Sequence, residues 1–424
     1  MKNRYRRYYF GDNMITNQIK ERIALKILIF ILIAIFVIGA FLTFDYKFGR
    51  KKQLPTIKSN AFPFRESNLE IFTHGTDLFN HMFDDFNHAK KHIHVLFYIC
   101  NDDRFGNEFL SLLKKKAEEG IEVRLLLDWA GSLKVSRKKI KELQSAGAEF
   151  AFSNVPTFPF YFYSSQVRNH RKITVIDGKI GYIGGYNVGN EYIDLDPKLS
   201  PWRDYHLKIT AEGVLDLQQQ FLLDWQEATK TNLRQNKIYF PPLEKGRSRH
   251  KIISTEGFIL EDTFSTLIQQ AKKSITIGSP YFIPSKRILD DLLDALKRGV
   301  ELTIIVPYVS DHILVKEASF PHLRAIIAAG ANVYQFKNGF YHAKILLFDD
   351  QICDLGTANF DNRSFFLNHE INCYIYDLQV IEEVKLILKK DLQDSVKLSL
   401  EDLNSLSLFS RIKEGVAKSI SHFL

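Results

Sequence analysis

A chain of 424 residues, 45% hydrophobic and 25% charged, has the composition of a globular protein and room for two ordinary domains or one duplicated domain. A net charge of +8 suits anionic partners, nucleic acid or anionic lipid, without choosing between them. Three widely spaced cysteines, Cys100, Cys353 and Cys373, exclude a disulfide scaffold and any Cys-x-x-Cys metal pattern.

Residues 1–26 are polar and basic, and residues 27–44 follow without a charge. About 18 apolar residues are just enough to cross a bilayer as a helix. The run is long for a cleaved signal peptide and its basic lead is extended, so 27–44 is expected to be a retained transmembrane anchor. Basic residues lie on both sides of it, from Lys20 to Lys26 and from Lys47 to Lys52, which leaves the side of the membrane open. Residues 45–65, with two prolines and several lysines, read as a linker.

From about residue 66 the pattern becomes α/β. Helices are expected over 77–89, 107–119 and 136–146, with strands over 92–99 and 121–128. Gly120 and Gly147 close the second and third helices. The second half repeats this grammar: helices over 264–271, 287–298 and 321–329, strands over 274–279 and 300–306, and stops at Gly299 and Gly330. Two similar α/β domains are expected, 66–240 and 241–400, each a mixed sheet flanked by helices. Their two sheets are expected to meet about a pseudo-two-fold axis. A helix over 380–398 and a tail over 401–424 complete the chain; the tail reads equally as a packed helix or one lying on a membrane surface. One difference separates the halves. Gly147 stands further from its downstream motif than Gly330 does, and the insert carries Phe150, Phe152, Phe158, Phe160, Tyr161, Phe162 and Tyr163. These aromatics suit an acyl-chain channel, a membrane interface or a core.

The strongest signal is a motif that occurs twice. Residues 169–177 read Asn-His-Arg-Lys-Ile-Thr-Val-Ile-Asp, and 341–349 read Tyr-His-Ala-Lys-Ile-Leu-Leu-Phe-Asp. His170, Lys172, Asp177, Gly184 and Asn187 pair with His342, Lys344, Asp349, Gly356 and Asn359 at one shared offset of 172. One His-x-Lys-x-x-x-x-Asp is weak evidence, but two with the same trailing Gly and Asn are not a coincidence. His and Lys two apart on a strand share a face. A turn at Asp177-Gly178 would fold Asn187 back beside the histidine.

Two such sets around one phosphate supply two imidazoles, with Lys172, Asn187, Lys344 and Asn359 to hold its oxygens. That suits displacement at phosphorus with no metal and no cofactor. One histidine attacks and the other serves as acid and base. The cations and amides stabilise the developing charge. A nucleophilic imidazole needs its other nitrogen held, and Asp204 and Glu370 follow in equivalent places. Asp204 is expected to orient His170, and Glu370 to orient His342. Asp177 and Asp349 complete the catalytic motif as supporting groups on the turn side of each strand.

At these residues the chain resembles the phospholipase D superfamily, and within it the bacterial cardiolipin synthases. The resemblance spans roughly 65–400. It rests on Tyr98 with Asp103 and Gly106, Leu-Leu-Leu-Asp at 125–128, Arg-Asn-His-Arg-Lys at 168–172, Trp-Arg-Asp at 202–204, Pro-Tyr-Phe-Ile-Pro at 280–284 and Gly-Thr-Ala-Asn-Phe-Asp-Asn-Arg-Ser at 356–364. It implies two α/β domains sharing one site. It also implies transfer of a phosphatidyl group between two phosphatidylglycerol molecules with release of glycerol, with His170 as nucleophile and His342 as acid and base. The residues alone are symmetric and do not make that choice. Many cardiolipin synthases carry two apolar spans at the N-terminus, where this chain shows one. The rival readings are hydrolysis at the same site, a nuclease, and a non-catalytic lipid-binding protein. The apolar anchor and aromatic insert favour an anionic phospholipid at a membrane over nucleic acid. The oligomeric state is left open.

Overall fold

The computed structural model describes residues 2–56, 60–312, 314–405 and 407–420. They form two compact units, one comprising the N-terminal helical region with 156–164, the other the rest.

In the first unit a single helix runs Lys2–Gln53. It holds a segment long and apolar enough to cross a membrane. Large apolar side chains from Ile23 to Phe44 are exposed around it, which a water-soluble surface helix does not tolerate. The helix continues through the first part of the expected linker. Beyond the apolar run, Asp45 accepts a hydrogen bond from the Tyr163 N–H at 2.8 Å, and the rings of Tyr46 and Tyr163 meet edge to face at 5.5 Å. Lys52 lies 5.9 Å from the Phe160 ring. Part of the aromatic insert therefore packs against the foot of the apolar helix.

The second unit is built on one sheet of fifteen strands. From one edge its first half runs Glu149–Ser153, Glu122–Asp128, His92–Phe97, Ile173–Ile176, Ile180–Gly184, His206–Ala211 and Asn60–Phe72. The second half continues Ser248–Glu256, His369–Ile375, Ile352–Gly356, Ile345–Phe348, Ser274–Gly278, Glu301–Pro307 and Asn332–Phe336, with Ser395–Lys397 at the far edge. Read outward from the middle, both halves use the same order, so the duplication is a pseudo-two-fold. The expected pair of sheets is in fact joined edge to edge. Asn60–Phe72 pairs antiparallel with Ser248–Glu256, with Glu66 opposite Arg249.

That seam strand occupies the end of the expected linker. Pro63 made the stretch look irregular, but it sits at a register shift between Ala61 and Phe64, where its missing N–H costs no ladder bond. The parallel strands of the first half are buried on both faces because helices cover both. Val95, Phe97, Leu125 and Leu127 face the helices Gly75–His88 and Arg104–Glu118, through Leu78, Phe79, Phe109 and Leu113. Leu96 and Leu126 face the opposite way. There the helices Gly213–Thr229 and Leu378–Gln393 contribute Leu217, Phe221, Trp225, Ile381 and Val384 to a core shared by both halves.

The other expected helices and strands are found within a few residues of their predicted ends, apart from two helix starts. Leu260–Gln270 begins four residues early, and Val315–Ala328 begins six early with Pro321 inside it. The expected helix over 380–398 stops at Gln393 and gives way to the edge strand. In the tail, the helix Leu408–Ile420 is tied to Val315–Ala328 by Glu414, which accepts two bonds from Arg324 at 2.6 and 2.7 Å.

Candidate active site

Each motif histidine stands on extended chain just ahead of a motif strand, and each is anchored across the seam. The His170 N–H donates to the His369 carbonyl at 2.9 Å, and the His369 N–H donates to the Arg168 carbonyl at 2.8 Å. In the other half Phe340–Tyr341 pairs parallel with Trp202–Arg203, and the His342 N–H donates to the Arg203 carbonyl at 2.7 Å. The motif of one half thus lies beside the acid-bearing segment of the other.

This crossing reverses the expected acid assignments. His170 Nδ1 lies 2.9 Å from Glu370 Oε2, and His342 Nδ1 lies 2.6 Å from Asp204 Oδ2. Sequence neighbourhood pointed to pairs within a half; the backbone bonds at the seam put His369 next to His170 and Arg203 next to His342, carrying Glu370 and Asp204 with them. Glu370 is fully buried and also accepts from the hydroxyls of Thr357 at 2.6 Å and Ser364 at 2.9 Å and from the Asn368 amide at 3.2 Å. Burial alone would raise the pKa of either acid, but His170 and Lys172 hold Glu370 low, and Lys344 and His342 hold Asp204 low. Burial is also the main reason both imidazoles titrate low: His170 lies below its ordinary value and His342 at about 4, each partly offset by its acid.

Lys172 and Lys344 are buried beneath the histidines rather than on the cavity wall. Lys172 Nζ donates to the His170 carbonyl at 2.7 Å and lies 5.4 Å from the Tyr98 ring. Lys344 Nζ sits 3.4 Å from Asp204 and 2.6 Å from His342 Nδ1. Burial takes Lys172 down to about 7 and lowers Lys344 as well, against the pull of Glu370 and Asp204 respectively.

Asp177 and Asp349, placed in the catalytic set on sequence, do not reach this centre. Asp177 accepts backbone N–H bonds from Lys90, Lys91 and His92. Asp349 accepts from Lys272, Lys273 and Ser274. Each sits at the far end of its motif strand, in the hairpin turn, and pins that turn to the start of the neighbouring strand. The expected turn at Asp177-Gly178 forms with both residues at positive φ. The glycines matter for close approach: a Cβ on Gly184 would meet His206 Cα at 2.5 Å, and one on Gly356 would meet the Ile371 carbonyl at 2.5 Å.

His170, His342, Asn187 and Asn359 line one cavity of about 380 Å³ with Tyr98, Glu191, Tyr192, Trp202, Tyr281, Asp311, Asn368 and Arg363 among others. Aromatic rings flank both imidazoles: Tyr98 meets His170 edge to face at 5.0 Å, and Trp202 lies tilted 4.8 Å from His342. Asn187 Oδ1 accepts from the Ile99 N–H, whereas the buried Asn359 Oδ1 meets no donor among the described residues. Phe150 and Phe152 at the start of the aromatic insert pack against the core of the first half. Glu191, Asp311 and His312 were missed on sequence. Glu191 could have been found, since it stands at the motif offset of 172 from Arg363. Asp311 lies on an irregular stretch with no repeated context. Outside the cavity, Asp224, Glu227 and His369 come close enough to share a cation among the described residues, but the Arg171 guanidinium already sits 2.5 Å from Asp224.

The model of the cardiolipin synthase phospholipase D-like domain matches residues 82–198 and 264–392. A minor cardiolipin synthase of Bacillus subtilis, ClsB, is 39% identical over 400 residues, covering 94% of this chain and 100% of its own length. Cardiolipin synthase 2 of Staphylococcus epidermidis is 38% identical, over 89% of this chain and 79% of its own. In fold, the crystal structure of a phosphatidylserine synthase from Haemophilus influenzae superposes with a TM-score of 0.66 at 18% identity, covering 85% of this chain and 97% of the other. A duplicated α/β frame with two motif histidines in one cavity, together with relatives aligned along nearly the whole chain, places this protein in the cardiolipin synthase family of phospholipase D-like enzymes.

Proposed function

We propose that the protein joins two phosphatidylglycerol molecules into cardiolipin and glycerol at the membrane, through a phosphohistidine. The observation that supports this best is the pair of histidines facing one cavity, each with Nδ1 held by a buried acid. With Nδ1 engaged, Nε2 is the reactive nitrogen of each ring. Burial keeps His170 neutral and so able to attack phosphorus. The P–O bond to glycerol breaks as His342 delivers a proton to the departing oxygen. His342 then removes a proton from the hydroxyl of the second lipid, whose oxygen displaces His170 and restores the free enzyme. The bound phosphate's own charge favours protonation of His342 and of the lysines below it. Glu370 and Asp204 orient the rings, and Lys172, Lys344, Asn187 and Asn359 balance charge on the non-bridging oxygens. The helix Lys2–Gln53 anchors the enzyme by a single pass.

The test is to supply the purified full chain with vesicles of phosphatidylglycerol and follow the products. Cardiolipin and glycerol in equal amounts are expected. Phosphatidic acid with glycerol would replace the transferase by a hydrolase.

A further inference from the structure

The two halves of the cavity are not equivalent in charge. Glu191 and Arg363 occupy positions related by the motif offset of 172, and both line the cavity. The duplication therefore carries an acid in one half where it carries a base in the other. Their neighbours deepen the contrast. Arg363 donates to the Gln166 carbonyl at 2.9 Å, on the stretch leading into His170. On the other side the carboxylate of Asp311 accepts from the Tyr281 hydroxyl at 2.5 Å, and the Tyr281 ring lies 6.4 Å from His342. Tyr192, next to Glu191, packs edge-on against Trp202 at 4.6 Å, and Trp202 packs on His342. Arg363 thus flanks the His170 side, with the buried Asp361 two residues before it, while Glu191 and Asp311 with two phenols flank the His342 side, His312 lying 3.5 Å from Asp311.

Carboxylates beside a site for an anionic phosphodiester are costly unless they meet donors. Among the described residues Asp311 Oδ1 is buried and meets no donor, and the buried Asn359 Oδ1 on the same cavity wall meets none either. A ligand that brings hydroxyl hydrogens would satisfy such acceptors, and a second phosphate would not. Vicinal hydroxyls suit a carboxylate well, since each can donate to it.

We infer that Asp311 and Glu191, with Tyr281, form a polyol subsite beside His342 that binds the glycerol head-group of both the departing and the incoming alcohol. The inference rests on the phosphatidyl-transfer reading above. In that chemistry the leaving and entering alcohols occupy the same side of phosphorus, opposite the nucleophile and next to the acid–base group. The acids stand on the side where His342 holds that role. The charge asymmetry is also a reason, independent of resemblance, for the two histidines to differ. Reversed roles would seat a neutral polyol against Arg363 and leave the acids facing the lipid backbone.

The experiment measures choice between acceptors. The full chain, in mixed micelles with phosphatidylglycerol, receives glycerol and 1-propanol in competition, and the new phosphatidyl alcohols are quantified using isotope-labelled acceptors. The wild type is expected to favour glycerol. Asp311→Asn and Glu191→Gln keep shape but remove the charge-assisted hydrogen bonds, and each is expected to reduce that preference about tenfold through a higher KM for glycerol. Transfer to 1-propanol persists and reports a folded enzyme. An unchanged ratio, or an equal fall for both acceptors, overturns the subsite. Should the wild type release only phosphatidic acid, the transferase reading fails separately. The subsite is then read from hydrolysis, where each variant should erase the preference for phosphatidylglycerol over phosphatidylpropanol, and a retained preference overturns it.

Discussion

Lys172 carries the sharpest charge problem in the site. Its ammonium is wholly buried, and burial lowers its pKa to about 7, with Glu370 opposing the shift and Lys344 adding to it. A phosphodiester anion in the cavity favours the charged form and must raise that pKa. Below about pH 7 Lys172 is already protonated and binding takes up no proton there; above it the free amine is largely neutral and binding draws one in. Calorimetric titration with a non-reactive phosphodiester, in buffers of different ionisation enthalpy, should show proton uptake at pH 8. Lys172→Met should lose that component. Equal uptake in both proteins would mean that Lys172 keeps its charge in the empty site. At this scale the sequence was most legible in residue identity. Repetition alone picked out both histidines, both lysines and both asparagines, while Asp204 and Glu370 stand out as acids following a strand in each half. It failed on partnership, because the nearest acid along the chain belongs to the same half while the backbone bonds of His170 and His342 run to the other.

The elements explain why the motif needs its aspartates without giving them chemistry. Asp177 and Asp349 each gather three backbone N–H groups at the start of a neighbouring strand and so fix the depth at which the motif strand enters the sheet. Losing one leaves several donors to find water, at a cost of about 1–3 kcal/mol. Asp177→Ala and Asp349→Ala should lower Tm, while kcat/KM per folded molecule stays within about threefold of wild type, as expected when no transition-state contact is removed. A loss of a thousandfold with unchanged Tm would restore them to the catalytic set. Helices and strands were readable here because their apolar periods are strong and because Gly120, Gly147, Gly299 and Gly330 mark the stops, all at positive φ. The seam strand Asn60–Phe72 was not. Pro63 hid it, and its partner, Ser248–Glu256, lies far along the chain.

At the scale of the whole molecule, duplication yields one site rather than two. The halves share a single sheet, and each contributes its histidine to the cavity while lending its acid to the other. Neither half can therefore complete a nucleophile with its orienting acid alone. Duplication was evident from the paired motifs and paired glycine stops. That the sheets fuse was not, since edge pairing leaves no periodic trace in sequence. The N-terminal helix exposes a segment long and apolar enough to cross a membrane, and Phe160 and Tyr163 pack against its foot. The proposed phosphohistidine mechanism requires one covalent lipid per chain, carried by the first motif. Intact-protein mass spectrometry of His342→Ala after reaction with phosphatidylglycerol or an analogue with a better leaving group tests it directly. A single phosphatidyl adduct, mapped to His170 and absent from His170→Ala, is the predicted result. Two adducts per chain, or one on His342 that survives in His170→Ala, would contradict that mechanism.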